Sequence, residues 1–398
     1  MEGDSLRLLK AEIARRLEAD RRLLDQLREE IRPLAGDVHR IQPRTTTSIS
    51  LVGTDGGNNQ LHFDPFLVQL VRVVDSSDNE YCLQVVTPRT NLRELSAQQF
   101  GDEGPATPLG ALMRYLDFEQ LSELSPMLRA NRRGEARNAN WVKTYRELME
   151  WAVLFELVRE RSYGTDTLIL YDGLLRSNVF DGDLFRRYLD GLREGIERLA
   201  RKSRRKLYLA GIAKQSKVLT RYRLAMALEG VLTTGFPAYV PIPREIEERA
   251  YQHIAYARGD DRVLHEGGVN RFVGGKMFFV KLGNQPSDPV WPVDIFEPQA
   301  ANAQLILGCV LADAANGFPI PYYPRCLQIA HEHAALVEFD AEVLQDQVFD
   351  GLRGILGDES DALDRFRLQD GNPAELRYNR ELQRRRASRP SMSRLAND

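Results

Sequence analysis

Cysteine is scarce in this chain. Across 398 residues there are three, Cys82, Cys309 and Cys326, far apart and with no CxxC pair. That excludes a disulfide framework and a cysteine-built zinc site, and it fits a reducing cytoplasm. No apolar run is long enough to cross a bilayer, and the acidic start Met-Glu-Gly-Asp lacks the apolar region of a secretory leader. A cytoplasmic protein with no membrane partner is therefore expected. Neither sign of charge dominates: 54 basic residues face 57 acidic ones, a net charge of −3. Any hold on nucleic acid must come from local basic clusters. The motifs of several enzyme classes are also missing. There is no P-loop, no GxGxxG, no GxSxG elbow and no HExxH, which leaves ATPase, dinucleotide-enzyme, serine-hydrolase and zinc-hydrolase chemistry without support.

What the chain does have is a repeated local pattern. Ser48-Ile-Ser-Leu-Val-Gly-Thr-Asp55-Gly-Gly and Leu168-Ile-Leu-Tyr-Asp172-Gly are each an apolar β-type run that ends in a carboxylate followed by glycine. Either alone reads as a turn after a strand. Two such carboxylates on adjacent strand ends of one sheet make a divalent-metal site, with oxygen ligands suited to Mg²⁺ or Mn²⁺.

The order of elements supports that placement. Residues 1–35 read as one charged helix with an apolar stripe, Leu6, Leu9, Ile13, Leu17, Leu23, Leu24, Leu27 and Ile31. Extended segments follow at 47–54, 66–74 and 81–86, with Gly56-Gly-Asn-Asn and Asp75–Asn79 as turns, a three-strand meander. Helical sequence is expected at 110–129 and 140–161, a buried strand at 168–171, a helix at 183–203 and a strand at 207–213. Residues 220–300 are mixed, with β signals at Met277–Leu282. A helix at 300–315, a Pro-rich turn and a helix pair at 326–339 and 341–356 close the fold. After about residue 376 a basic, disordered tail is expected. There is no internal repeat. Three antiparallel strands, a helix and a fourth strand parallel to the first give an α/β fold. It is a ribonuclease-H-like mixed sheet flanked by helices, with N- and C-terminal helical additions.

A third acidic ligand should come from the helix before the fourth strand, where Glu147, Glu150, Glu156 and Glu160 are available. Four steps back along the strand from Asp172 descend about 13 Å at 3.3 Å per residue. A helix climbing 1.5 Å per residue regains that level about nine residues before its end. Glu150 fits best and Glu156 next. Past the strand Leu207–Ala213, either Lys214 or Lys217 arrives at the level of the aspartates, where a cation can hold a phosphate. Basic clusters at Arg201–Lys206 (with Arg204 and Arg205), at Arg129–Arg137 and in the tail after Arg377 are candidate contacts to a phosphate backbone. In Pro321-Tyr-Tyr323-Pro-Arg-Cys-Leu-Gln-Ile-Ala-His331-Glu-His333, His331 shares a helix face with Leu327, Ala330 and Ala334 and is expected to point inward.

Taken in order, Thr54-Asp55-Gly56, the glutamate-bearing helix, Leu170-Tyr-Asp172-Gly-Leu174, Gly211-Ile-Ala-Lys214-Gln-Ser-Lys217 and Tyr323-Pro-Arg-Cys-Leu-Gln-Ile-Ala-His331 resemble the NurA family of DNA-repair nucleases. The resemblance spans roughly residues 45–345. It implies a ribonuclease-H-like core, Mn²⁺-dependent 5′-to-3′ exonuclease and single-strand endonuclease activity, and a ring-like homodimer. It also implies partnership with a hexameric HerA-type translocase on single- and double-stranded DNA. By position, Asp55, the helix glutamate and Asp172 resemble the ligands of two Mn²⁺ (or Mg²⁺) ions, with Tyr323 and His331 beside the scissile phosphate. The layout then becomes a helical segment 1–44, a nuclease domain 45–345, a C-terminal helix 346–375 and the tail 376–398. The alternative is a non-catalytic DNA clamp or assembly subunit that keeps the same fold.

Overall fold

The protein is described by a computed structural model covering residues 3–44, 49–63, 66–254, 271–335 and 338–360. The chain divides into two units, Met1–Ala335 and Leu336–Asp398. The first begins with helices α1 (Gly3–Ala19) and α2 (Arg21–Ile31), broken at Asp20, so the single helix expected over 1–35 is two. Leu27 and Ile31 of α2 are buried, whereas Leu6, Leu9, Ile13 and Leu17 of α1 remain exposed.

A short strand β1 (His39–Arg40) leads to the meander β2 (Ile49–Phe63), β3 (Phe66–Asp75) and β4 (Glu80–Val86). Gly56-Gly-Asn-Asn is no turn. Those residues stay in β2 and pair with Val73, Arg72, Val71 and Leu70. The apolar run of β3 offers them a full ladder, and that pairing outweighs the local turn preference. Then come α3 (Leu92–Ala97), the small hairpin β5 (Phe100–Gly101) and β6 (Gly104–Pro105), α4 (Pro108–Leu116) and α5 (Leu121–Leu124). The continuous helix expected over 110–129 is interrupted by Asp117, which caps α4 in the left-handed region at φ 68°.

Helix α6 (Trp141–Arg159) carries no glycine or proline and is buried on most of its circumference, with Trp141, Tyr145, Leu148, Ala152 and Phe155 along one stripe. Burying each large side chain contributes about 1.5–3 kcal/mol. The remaining elements are β7 (Asp166–Asp172), α7 (Leu184–Ser203), β8 (Leu207–Ile212) and α8 (Lys217–Leu228). They are followed by β9 (Ala238–Pro241), α9 (Arg244–Ile254), β10 (Gly275–Lys281), β11 (Val290–Phe296), α10 (Ala303–Ala314) and α11 (Arg325–Ala334).

The described strands other than β5 and β6 form one nine-stranded sheet in the order β1-β9-β10-β11-β8-β7-β2-β3-β4. Strands β2, β7 and β8 run parallel, and β3, β4 and β11 antiparallel to their neighbours. The half β4-β3-β2-β7-β8 is the ribonuclease-H-like arrangement the strand order predicts. Its faces alternate by residue. Val52, Ile169 and Tyr171 join the core beneath α6 and α7, while Leu51, Leu168 and Leu170 pack with α10 and α11. Helix α11 lies directly on β2, where a Cβ at Gly53 would fall 2.5 Å from the Cys326 carbonyl oxygen, so only glycine admits that approach.

In the second unit, α12 (Glu338–Leu356) ends in a short 3₁₀ turn, Gly357–Glu359. The basic tail after Arg377 lies outside the described residues, as does most of the stretch expected to be helical over 346–375 beyond residue 360.

Candidate metal centre

Asp55 lies within β2, and Asp172 ends β7. The parallel register that sets Thr54 beside Tyr171 puts the two aspartates on neighbouring strands, and alternation turns both toward α11. From α11, His331 reaches back so that its Nδ1 lies 2.5 Å from Asp55 Oδ2. Asp55, Asp172 and His331 each offer a ligand atom within 4.8 Å of the others. The expectation that His331 points inward fails. Leu327, Ala330 and Ala334 are buried, but the His331 side chain is 60% exposed at the rim of that face.

Two further groups hold Asp172. The hydroxyl of Tyr323, a fully buried residue, donates to Asp172 Oδ1 at 2.7 Å and approaches the Ile212 carbonyl oxygen at 3.3 Å. Lys214 Nζ pairs with Asp172 Oδ2 at 3.0 Å and stands 5.3 Å from the Tyr323 ring centroid. Of the two candidate lysines, Lys214 is therefore the one at the aspartates. Lys217 opens α8, whose N-terminus Ser216 caps. Burial pushes the Asp172 carboxyl up, and the Asp55 charge adds to this, while Tyr323 and Lys214 oppose it. The hydrogen bond to Asp55 raises His331. A half-buried carboxylate pair with an imidazole alongside is a donor set that fits a divalent cation such as Mn²⁺.

Glu150 is close by but outside that trio. It approaches β2 from the α6 side, where a Cβ on Gly56 would lie 2.3 Å from its Oε1. The Tyr171 hydroxyl donates to Glu150 Oε2 at 2.9 Å, and Arg146 Nε pairs with Oε1 at 3.3 Å. Burial pushes this carboxyl up to about 8, Arg146 opposes the rise, and Asp55 adds to it. Glu156 lies at the far end of α6, beside Arg161 and Tyr81, and Glu160 caps that end. Glu147 accepts from Ser177 at 2.8 Å. Arg146 and Tyr171 were not anticipated. Tyr171 carries a readable signal, since its place next to Asp172 in β7 turns it to the other face.

Arg204 and Arg205 are not at this site. Arg204 caps α7 at φ 55°, and β8 then begins at Leu207, opposite Thr167. Asp172 is five strand steps from Thr167, about 16 Å along the sheet.

No protein-family model matches the sequence, and no characterised protein matches it by sequence. The solved structures it is similar to include the NurA nuclease from Sulfolobus solfataricus, 15% identical over 90% of this chain and 99% of that one, with a TM-score of 0.41. Its structural neighbours are NurA nucleases. NurA with manganese is 11% identical over 86% of this chain and 98% of its own, at a TM-score of 0.37. NurA bound to dAMP and manganese is 12% identical over 82% and 94%, at 0.35. Among the described residues no helix is long and apolar enough to cross a membrane.

Proposed function

We propose that this protein is a metal-dependent deoxyribonuclease that hydrolyses phosphodiester bonds at Asp55, Asp172 and His331. The observation that carries the reading is the convergence of those three donors within 4.8 Å at the parallel strands of a ribonuclease-H-like sheet, with a lysine and a tyrosine fixed on one carboxylate. A bare carboxylate pair would repel a phosphodiester. When bound, a divalent cation supplies Lewis-acid stabilisation of charge on the phosphate. Lys214 and Tyr323 hold Asp172 in one orientation, and Lys214 adds positive charge where a phosphate would lie. The exposed edge of His331 can pass a proton to or from the reacting oxygens. Glu150, buried beside Gly56 and one residue from Asp55, is the proposed third carboxylate, and with it the site takes up to two Mn²⁺ (or Mg²⁺) ions.

The finer activities follow the sequence resemblance: 5′-to-3′ exonuclease and single-strand endonuclease action in end resection, as a cytoplasmic homodimer with a HerA-type hexamer. The exposed stripe of α1 suits such a partner surface. A clamp that had lost catalysis would not need Lys214 and Tyr323 aimed at Asp172, so catalysis is the favoured reading. The test is degradation of end-labelled single-stranded DNA in Mn²⁺, abolished by EDTA and by Asp55→Ala. Inactivity in Mn²⁺ with the cognate translocase present would favour the clamp.

A further inference from the structure

One cluster of positive charge is not used by the proposed site. A cavity of about 470 Å³ lies between α3, α5 and the loop that leads into α6. Its walls carry Arg93, Arg129 and Arg137, with Gln120 and Ser122 as additional polar groups and Leu128 beneath. Among the described residues none of the three guanidiniums has a carboxylate partner. Arg137 Nε donates to the Ala130 carbonyl oxygen at 3.1 Å, which fixes its fork at the rim. The acidic neighbours are engaged elsewhere. Glu94 accepts from Asn91, Glu135 from Asn131, and Glu123 from the backbone N–H of Gln120. Three forked donors lining one cavity match the tetrahedral oxygens of a phosphate, which arginine grips bidentately.

The cavity lies on the α6 side of the sheet: Leu92 and Leu128, which line it, share a core with Val52 and Tyr171, on the face opposite α11. Val86, the last residue of β4, pairs with Gln69, and Gln69 pairs with Gln60, five residues past Asp55. That is about 16 Å along the strands and about 10 Å across two of them, and α3 begins six residues later. The cavity, lined by α3, thus lies past the β4 end of the sheet and not beside Asp55.

We infer that Arg93, Arg129 and Arg137 form a phosphate-binding subsite, and that its ligand is a backbone phosphate of bound single-stranded DNA, held away from the scissile bond. The same chemistry would accept the phosphate of a free nucleotide. The inference rests on the nuclease reading, but binding can be measured without cleavage.

The test compares wild type with Arg93→Ala/Arg129→Ala/Arg137→Ala, and with the corresponding triple lysine variant, which keeps the charge. Fluorescence anisotropy in EDTA reads binding of a 4-nucleotide and a 14-nucleotide single strand. Cleavage in Mn²⁺ reads KM and kcat for both. For a strand phosphate, the alanine variant weakens 14-mer binding and raises its KM about tenfold or more. It leaves the 4-mer and kcat unchanged and lowers the salt slope by about 0.7, the loss of one neutralised phosphate. The lysine variant recovers most of the affinity. For a free nucleotide, only binding of dAMP or inorganic phosphate falls, with both oligonucleotides unaffected, and the phosphate assignment stands with that source. Unchanged binding of oligonucleotide, dAMP and phosphate overturns the inference. A protein that binds the 14-mer through these arginines yet never cleaves it would overturn the nuclease reading and leave the subsite in place.

Discussion

Gly56 and Glu150 compete for one space. A Cβ on residue 56 would fall 2.3 Å from Oε1 of Glu150 and 2.7 Å from its Cγ. The missing side chain lets a buried carboxyl rest against β2 one residue from Asp55. Gly56→Ala should therefore cost about 1–3 kcal/mol, the usual penalty for overpacking. The cost should largely vanish in a Glu150→Ala background. A double-mutant cycle by chemical denaturation reads the coupling as at least about 1 kcal/mol. Additive losses would mean that the two residues do not meet.

The pH dependence of stability reports the same carboxyl. Burial raises Glu150 from its ordinary 4.5 to about 8, so folding favours the neutral acid. Its contribution is complete below pH 4.5 and is lost as pH rises toward 8, because the unfolded chain ionises first. In EDTA, wild type should lose stability relative to Glu150→Gln across that window, by up to about 1.4 kcal/mol per pH unit. The difference should level off above pH 8. A constant difference between pH 5 and 9 would remove Glu150 from a desolvated setting.

Tyr323→Phe keeps the buried ring and its contact with Trp291, whose centroid is 5.0 Å away, but removes the donor to Asp172. The variant should stay folded and lose about 10–100-fold in Mn²⁺ affinity or activity, as expected when a supporting hydrogen bond to a ligand is cut. Lys214→Ala should likewise lower kcat well below the effect of Lys217→Ala. Equal losses at the two lysines would contradict the assignment of Lys214.

Charge reversal at Arg204 and Arg205 should leave KM for single-stranded DNA within about twofold. These residues precede β8 at the end of the sheet about 16 Å from Asp172. A tenfold rise in KM would place the path of the DNA across that end instead.

Much of this site was legible in the sequence because strand alternation and parallel pairing are short-range rules. Asp55 and Asp172, each before a glycine after an apolar run, could be placed on neighbouring strands, and the end of the 207–213 strand brought either Lys214 or Lys217 to their level, whereas Tyr323 came only with the family resemblance. The helix-rise arithmetic also picked out Glu150, which does lie beside Gly56. What stayed hidden depended on tertiary context. Gly56-Gly-Asn-Asn looks like a turn until β3 is present to pair with it. Strands β9 and β11 are four and seven residues long and contain prolines, Pro241 and Pro292, that weaken the local strand signal. His331 shares its helical face with buried neighbours, yet it sits at the edge of that face, and helical spacing cannot tell a margin from a centre. Arg204 and Arg205 form a basic run that composition alone cannot assign to either end of the sheet.

The most direct test is the single-turnover rate of single-strand cleavage, measured for wild type and Asp172→Asn over a range of Mn²⁺ concentrations. The account predicts a wild-type rate that saturates with Mn²⁺ and a rate about 10³-fold lower in the variant at every concentration, the loss of about 4 kcal/mol of transition-state stabilisation. A variant that cleaves within tenfold of wild type would contradict it, because Asp172 would then be a strand-end carboxylate with no part in the reaction.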